Sequence, residues 1–261
     1  WYYHLKKEKY KYMNKMCKLG INIDHVATLR NARGQIHPDP LKAAMILKEC
    51  KVDSVTMHLR EDRRHIKDDD IFLIKDKVDL PINLEIAPTE EMTKIALRLN
   101  PRSVCFVPEK RMEVTTEGGL DVKSNMQNIE RLLNFLSNSK IEVACFIEPN
   151  FNQIDILKSL GIKTLEFHTG SYADSRTEKI MNEKLSLIKE AAQYAEELGF
   201  DCHAGHGLNY DNVYNIASIK EIKELNIGHF IIGESIFSGL KNSILKMKEI
   251  IKTARKWFTV L

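Results

Sequence analysis

The sequence predicts an α/β protein with the architecture of a closed (β/α)8 TIM barrel, and three observations support this prediction. Eight short runs rich in Val, Ile and Phe alternate with longer segments of helical period, which is the pattern of βα units around a parallel sheet. Eight such units within roughly 245 residues match the size of a closed barrel. The sequence also lacks the G-x-G-x-x-G and G-x-x-x-x-G-K-S/T motifs found in many open nucleotide-binding sheets.

Each predicted strand is a short apolar run. In chain order, these runs span residues 19–24, 53–59, 81–87, 103–108, 142–148, 164–169, 201–207 and 227–233. β-Branched and aromatic side chains suit the surface of a sheet, and short runs of this kind are typical of strands in a parallel sheet.

The segments of helical period follow the strands. They span residues 39–51, 68–78, 89–100, 126–139, 151–161, 184–199, 212–222 and 239–257. Residues suited to helix caps stand at several of their ends, namely Asp39, Thr89 and Asn212 at starts and Gly161 and Gly199 at ends. The remaining two connections, 108–125 and 170–183, are long and polar, and we expect them to cover a site, with residues 108–121 of the first as a lid over bound substrates.

The bulk composition is that of a globular protein. Hydrophobic residues make up 43% of the chain and charged residues 29%, and no run of about 18 apolar residues could cross a membrane. The net charge is +3, but the first 15 residues hold five lysines and one glutamate, which leaves the remainder near −1. This balance does not favour a nucleic-acid partner.

Residues 1–16 are interpreted as a basic N-terminal extension, disordered or non-native, and residues 17–261 as one barrel domain. The extension lacks the apolar core of a secretion signal and the Arg/Ser richness of a transit peptide. A membrane or RNA tether is the alternative interpretation. The five cysteines form an odd number without a C-x-x-C motif, which indicates buried, reduced thiols in a cytoplasmic protein.

Ionisable side chains stand at the ends of most predicted strands. They are Asp24 and His25 on strand one, His58 and Arg60 on strand two, Glu85 on strand three, Glu166 and His168 on strand six, His203 and His206 on strand seven, and His229 on strand eight. Because the carboxyl ends of barrel strands surround one site, these groups are expected to converge there. Burying them together without a function would cost several kcal/mol each, so we predict an acid–base active site. His203 is the exception, since it is more simply interpreted as an ordinary histidine.

Arginines and glycines near these strand ends predict phosphate binding. Arg33 precedes a glycine, and Arg60 lies two residues from His58 and so on the same side of its strand. The glycines at the predicted ends of strands seven and eight are Gly205, Gly207, Gly228 and Gly233. Backbone N–H groups at this position of a barrel often bind phosphate.

Seven of these segments, taken in order, resemble the motifs of the pyridoxine 5'-phosphate synthase family, the ring-closing enzymes of bacterial vitamin B6 biosynthesis. They are NIDHVATLRNARG, VTMHLREDRRHI, NLEIA, VPEKRMEVTTEGGLD, EFHTGSYAD, AGHGLNYDNV and ELNIGHFIIG, within residues 19–251. The resemblance implies a TIM barrel with extra helices that assembles as a homo-octamer. It also implies a transferase without a metal or cofactor, which condenses 1-deoxy-D-xylulose 5-phosphate with 3-amino-2-oxopropyl phosphate to pyridoxine 5'-phosphate, inorganic phosphate and water.

The same resemblance implies a role for individual residues. His58 and Glu85 would accept protons, His206 would donate one, and Glu166 would stabilise a transition state. The deoxyxylulose phosphate would be bound by Asp24, His25, Arg60, His65 and Thr115, and the amino-ketone phosphate by Asn22, Arg33, Gly207, Gly228 and His229.

Two other functions remain open from the residues alone. One is a metal-dependent barrel lyase or hydrolase, with ligands drawn from Asp24, His25, His58, Glu85 and one of His168 or His206. The other is a non-catalytic sensor or scaffold that binds phosphorylated ligands. The sensor is less well supported, because binding anions gains nothing from a buried carboxylate such as Glu85.

Overall fold

The strands form the predicted closed barrel. The computed structural model describes residues 16–109 and 118–256. Its eight strands are β1 (Lys18–Asn22), β2 (Ser54–His58), β3 (Ile82–Ile86), β4 (Ser103–Phe106), β5 (Glu142–Ile147), β6 (Thr164–His168), β7 (Asp201–Gly205) and β8 (Ile222–Ile227). Each strand pairs in parallel with the next, and β8 pairs with β1 to close the ring.

The described part of the chain contains eleven helices, which surround the barrel. They are α1 (Asp24–Arg33), α2 (Pro40–Glu49), α3 (Asp68–Lys77), α4 (Glu90–Leu99), α5 (Val122–Leu136), α6 (Phe151–Ser159), α7 (Gly170–Ala173), α8 (Glu178–Glu197), α9 (Val213–Ala217), α10 (His229–Ser238) and α11 (Leu240–Lys256). Two helices follow each of β1, β6 and β8, so the extra helices are confirmed.

Two of the predicted helix starts use their side chains as expected. The Asp39 carboxylate accepts a hydrogen bond from Leu41 N at 2.9 Å, and the Thr89 hydroxyl accepts one from Met92 N at 3.4 Å. Asn212 precedes α9 but does not cap it with its side chain, which instead donates to the Gly207 carbonyl at 3.1 Å.

The prediction for the eighth strand was wrong. The strand is Ile222–Ile227, and residues 229–233 of the expected run belong to α10 instead. A short apolar run such as IGHFIIG fits a buried helix as well as a strand, and the pattern alone cannot separate them. His229 therefore opens a helix, and Gly233 lies inside that helix rather than at a strand end.

The first strand also ends earlier than predicted. β1 ends at Asn22, and the charged pair Asp24–His25 begins α1. An acidic residue is favourable in the first helical turn, because the backbone N–H groups there carry partial positive charge. Within the predicted polar connection 170–183, residues 170–173 form α7 and α8 begins at Glu178.

The strands are buried on both faces, and the outer face is aliphatic. Ile21, Val55 and Leu84 belong to the apolar core. Inside the barrel, the Ser54 hydroxyl donates to Glu224 Oε1 at 2.7 Å. Ser54 is on β2 and Glu224 is on β8, and β1 lies between these two strands. The hydrogen bond therefore passes over Gly20 of β1, where a Cβ would lie 2.6 Å from the Ser54 hydroxyl.

Several further predictions can be compared with the structure. All five cysteines are buried and free, as expected. None of the helices in the described ranges combines the length and apolarity needed to cross a bilayer. The N-terminal extension, apart from Met16, lies outside the described residues, as do residues 110–117 of the expected lid.

Candidate active site

The parallel register of β2 and β3 places His58 beside Glu85 at the carboxyl end of the barrel. His58 Nδ1 lies 4.0 Å from Glu85 Oε2. Burial lowers the pKa of His58 well below its usual value, with His65 and Arg60 adding to the effect. Burial raises the pKa of Glu85 well above its usual value, and the nearby Asp24 and Glu166 carboxylates raise it further. The pair therefore offers an uncharged imidazole and a carboxylate that is strongly basic when ionised.

Asp24 connects this pair to β1. Its Oδ1 accepts a hydrogen bond from His58 N at 2.8 Å, and its Oδ2 accepts one from Asn22 Nδ2 at 2.9 Å. Burial raises the pKa of Asp24 to about 6, although the hydrogen bond from His58 N opposes that change. Asp24, Glu85 and Glu166 thus form a set of buried carboxyls that resist ionising together.

Two further histidines line the same end of the barrel. The ring of His25 meets the ring of His229 edge-on, with centroids 4.7 Å apart. His65 lies 5.8 Å from the His58 ring, centroid to centroid. Burial lowers the pKa of His25, with His229 adding to the effect, and burial together with Arg60 lowers the pKa of His65 to about 4.

Arg60 has a carboxylate partner that the sequence analysis missed. Its guanidinium Nε lies 3.0 Å from Glu109 Oε1, and the same oxygen lies 3.8 Å from His58 Nε2. Both Glu109 oxygens accept from the backbone N–H of Glu61, at 3.1 and 3.2 Å. The sequence could have indicated Glu109, because it is an ionisable residue that follows the fourth strand, within the segment VPEKR.

Glu166 lies deeper in the barrel and is 3% exposed. Its Oε2 accepts a hydrogen bond from Asn226 Nδ2 at 2.6 Å. Burial raises the pKa of Glu166 to about 7, while His203, opposite it on β7, acts in the other direction. His203 itself is buried, with Nε2 3.7 Å from the Asp201 carboxylate.

His206 follows β7 with a left-handed backbone, at a φ of 83°. Its carbonyl accepts from the Thr169 hydroxyl at 2.6 Å. Burial and the neighbouring His168 lower the pKa of His206 to about 4. A non-glycine residue rarely adopts this backbone conformation, because it costs conformational energy. The surrounding contacts must therefore hold the His206 backbone in place, and this fixes the position of the imidazole.

Two of the predicted phosphate-binding glycines stand where the backbone must approach closely. Gly207 has a φ of 75°, and a Cβ there would lie 2.6 Å from Ala173 Cβ. Gly228 precedes the first residue of α10, and its Cβ would lie 2.8 Å from Asn22 Cβ. The N-terminus of α10 therefore meets the end of β1, and free N–H groups at such a terminus suit an anion.

Arg33 is not brought to this group. Arg33 is exposed in the last turn of α1, about 13 Å along the helix from Asp24. The buried arginine of α1 is Arg30, which donates to the Asp70 carboxylate at 2.6 and 2.8 Å. Thr115 lies outside the described residues.

A second pair that the sequence analysis did not assign lies at the ends of β5 and β6. His168 Nδ1 is 2.6 Å from Glu148 Oε1, and Glu148 Oε1 also accepts from Gly119 N at 3.0 Å. The sequence indicates His168 as a strand-end histidine, whereas Glu148 was missed.

Asp24, His58 and His65 are the one group of described residues whose potential metal-ligand atoms all lie within 4.8 Å of one another. Of the ligands that the sequence suggested for a metal-dependent enzyme, only Asp24 and His58 belong to this group. The third member, His65, was not among them. This geometry leaves a metal site open as an alternative at the same end of the barrel.

The fold occurs in several solved structures at low sequence identity. KGPDC from Streptococcus mutans has a TM-score of 0.60 at 15% identity, covering 92% of this chain and 99% of that one. Thiamine phosphate pyrophosphorylase from Pyrococcus furiosus has a TM-score of 0.58 at 14% identity, covering 93% and 98%. These likenesses show a shared barrel fold and nothing more specific.

Sequence comparisons are more specific. A relative named pyridoxine 5'-phosphate synthase from Rhodospirillum rubrum is 50% identical over 236 residues, covering 90% of this chain and 95% of the relative. One of the same name from Zymomonas mobilis is 51% identical over 243 residues, covering 93% and 94%. The profile of the pyridoxal phosphate biosynthesis protein PdxJ matches residues 19–253. The chain therefore belongs to the PdxJ family and is an enzyme of pyridoxine biosynthesis.

Proposed function

We propose that this protein condenses 1-deoxy-D-xylulose 5-phosphate with 3-amino-2-oxopropyl phosphate, giving pyridoxine 5'-phosphate, inorganic phosphate and water. The observation that carries the proposal is the His58–Glu85 pair, in which burial moves the two pKa values in opposite directions. Such a pair is suited to proton removal, and relatives 50% and 51% identical to this chain are named for this product.

The reaction needs proton transfers at several substrate atoms, because an amine joins a ketone, waters and a phosphate leave, and a ring closes. In the proposed mechanism, His58 and Glu85 remove protons and His206 returns one to a leaving oxygen. Glu166 stabilises a transition state. His58 and Glu166 are buried, and Glu85 and His206 are partly buried, which supports these roles because charge interactions are stronger where water is excluded.

Two separated anion sites would hold the two phosphates. Arg60 is proposed to bind the deoxyxylulose phosphate together with Asp24, His25 and His65. An arginine offers a planar fork of donors that fits phosphate oxygens, and Arg60 is only 2% exposed.

The amino-ketone phosphate is proposed to lie at the N-terminus of α10. Gly207, Gly228 and His229 are proposed to contact it, because the first N–H groups of a helix have no partner within the helix and suit a phosphate. Arg33 completes this site only if the substrate or a small rearrangement brings its side chain inward from its exposed position.

The direct test is to incubate the purified protein with both phosphorylated substrates and to detect pyridoxine 5'-phosphate by its fluorescence. His206→Ala is expected to abolish turnover while the circular dichroism spectrum stays unchanged. His37→Ala, which alters an exposed histidine before α2, serves as the control and should retain activity. Undiminished product formation by His206→Ala would remove the assignment of His206 as the acid.

The two alternatives make different predictions in the same assay. A metal-dependent lyase or hydrolase would copurify with metal bound at Asp24, His58 and His65, and would lose activity with a chelator. A phosphate-ligand sensor would bind both substrates without forming product. Metal analysis and product detection on one sample therefore separate the three functions.

We also propose a homo-octamer in the cytoplasm. Three large apolar side chains on the α1–α10 side of the barrel support assembly, because they are exposed in the isolated chain. They are Ile36 at 90%, Ile236 at 68% and Phe237 at 87%.

The five free, buried cysteines support the proposed cytoplasmic location, because free thiols suit a reducing compartment.

A further inference from the structure

Glu148 and His168 form a hydrogen-bonded pair that no proposed role uses. His168 ends β6 and is 7% exposed, whereas the Glu148 side chain, after β5, is 45% exposed. The 2.6 Å contact between Glu148 Oε1 and His168 Nδ1 is in the range of a strong charge-assisted hydrogen bond. The pair therefore reaches from solvent to the buried end of the barrel.

His206 is the next group along this line. The rings of His168 and His206 have centroids 4.9 Å apart. Phe146 packs against both rings, with centroid distances of 5.2 and 6.5 Å. At Gly170 a Cβ would lie 2.4 Å from His168 Nε2 and 3.2 Å from His206 Cδ2, so only a glycine leaves room for the two rings to face each other.

The charges around His206 create a problem for its proposed role. His206 faces His168, His229, Asp174 and Glu148, and burial with the two histidines lowers its pKa to about 4. At neutral pH the imidazole is therefore uncharged on its own. To act as a proton donor repeatedly, it must be supplied with a proton by a neighbour.

His168 is the neighbour whose imidazole is hydrogen-bonded to a carboxylate. Burial alone would raise the pKa of Glu148, but its hydrogen bond to His168 and the His168 charge lower it below the usual value, with Lys184 contributing. Glu148 is therefore ionised at neutral pH, and its carboxylate lies at hydrogen-bond distance from the His168 imidazole.

We propose that Glu148 and His168 supply protons to His206, with Glu148 as a positioning residue that holds and charges the imidazole of His168. In each cycle His206 releases one proton to the leaving oxygen of the substrate and takes one from His168, directly or across one water molecule. His168 regains its proton from solvent through the exposed Glu148. This inference rests on the proposed acid role of His206.

The first test needs no substrate. Protein labelled with 13C at histidine Cε1 is titrated by NMR, and the midpoint of the His206 resonance is compared between the wild type and His168→Gln. Removing the charge of His168 is expected to raise that midpoint by about half a pH unit or more, because a like charge is lost. An unchanged midpoint would show that the two rings are not coupled and would overturn the proposal.

The second test is kinetic. Glu148→Gln and His168→Gln are expected to lower kcat about tenfold or more while changing KM less than about threefold. The alkaline limb of the kcat profile should move to lower pH in Glu148→Gln, because the positive charge loses its carboxylate partner. The half-exposed position of Glu148 should leave folding intact in this variant, which circular dichroism verifies.

Phe146→Leu is the matched control, because Phe146 packs against both rings but carries no proton. It is expected to reduce activity without moving the alkaline limb. If Glu148→Gln and His168→Gln behave like Phe146→Leu, the pair is merely structural and the inference is wrong. If the wild type itself forms no pyridoxine 5'-phosphate, the proposed function fails and this inference fails with it.

Discussion

Glu109 is the carboxylate that lies against the proposed phosphate-binding arginine. Its carboxylate lies 3.0 Å from the Arg60 guanidinium, so the proposed phosphate-binding arginine already has an anionic partner. An incoming phosphate must displace this carboxylate or share the arginine with it. The carboxylate therefore competes with the phosphate for the same charge.

Glu109→Gln is accordingly expected to tighten binding of the deoxyxylulose phosphate by about 1 kcal/mol, or roughly fivefold in Kd. The amide keeps an oxygen that accepts from Glu61 N but removes the competing charge. Calorimetric titration measures the change. Glu61→Gln, which alters an exposed carboxylate next to Arg60, is the control, and an equal gain there would show a general charge effect instead.

Glu166 links the chemistry to stability. Its pKa is raised to about 7 in the folded protein, because burial disfavours the ionised form. The stability that the protonated Glu166 carboxyl contributes to the folded protein is fully present below the pKa of the unfolded chain, about 4.5. That contribution is lost as the pH rises through the folded pKa of about 7. Above about pH 7, the ionised Glu166 carboxylate therefore lowers the free energy of unfolding.

Glu166→Gln should remove that loss, because the amide cannot ionise and can still accept from Asn226. We expect the variant to gain about 1–3 kcal/mol in the free energy of unfolding at pH 8 relative to the wild type, and little at pH 4, while losing turnover. Urea unfolding at both pH values measures this. A gain of equal size at both values would attribute the change to packing.

Among the elements, α10 has one glycine that packing requires and another that it does not, although the two are five residues apart. Gly228 stands before the helix against the end of β1, whereas Gly233 lies within the helix and has no heavy atom within 4 Å of a built Cβ. The first is needed for close backbone approach, and the second only weakens the helix.

Gly228→Ala is therefore expected to lower the free energy of unfolding by about 1–3 kcal/mol, because its Cβ would lie 2.8 Å from Asn22 Cβ and 3.1 Å from Asn22 O. Gly233→Ala should raise it by about 0.5–1 kcal/mol through a better helix propensity. Thermal or urea unfolding compares the two variants directly. Equal effects would contradict the packing described for Gly228.

At the scale of the whole molecule, assembly is open to test through the exposed apolar side chains near the end of α10. Phe237→Glu is expected to reduce the mass measured by light scattering, since a charge at a residue 87% exposed in the isolated chain would be buried in an oligomer. Asn138→Glu, which adds the same charge to an exposed turn, is the control. A wild-type mass that persists in Phe237→Glu would exclude this face from the interface.

The barrel and most of its strand-end residues could be predicted from the sequence. Alternation of short β-rich runs with helical segments is a local property, so it placed seven strands within a few residues and identified His58, Glu85, Glu166 and His206 as candidates. The eighth strand could not be placed in this way, because IGHFIIG fits two secondary structures and only closure of the ring against β1 selects Ile222–Ile227.

By itself, then, the sequence determined the repeating architecture and which chemical groups stand near the strand ends. The tertiary structure decided which of those groups meet: Glu109 with Arg60, and Glu148 with His168. The reason is physical. A period of apolar residues depends on neighbours along the chain, whereas a contact between carboxylate and cation depends on the register of strands distant in sequence, which only the closed barrel sets.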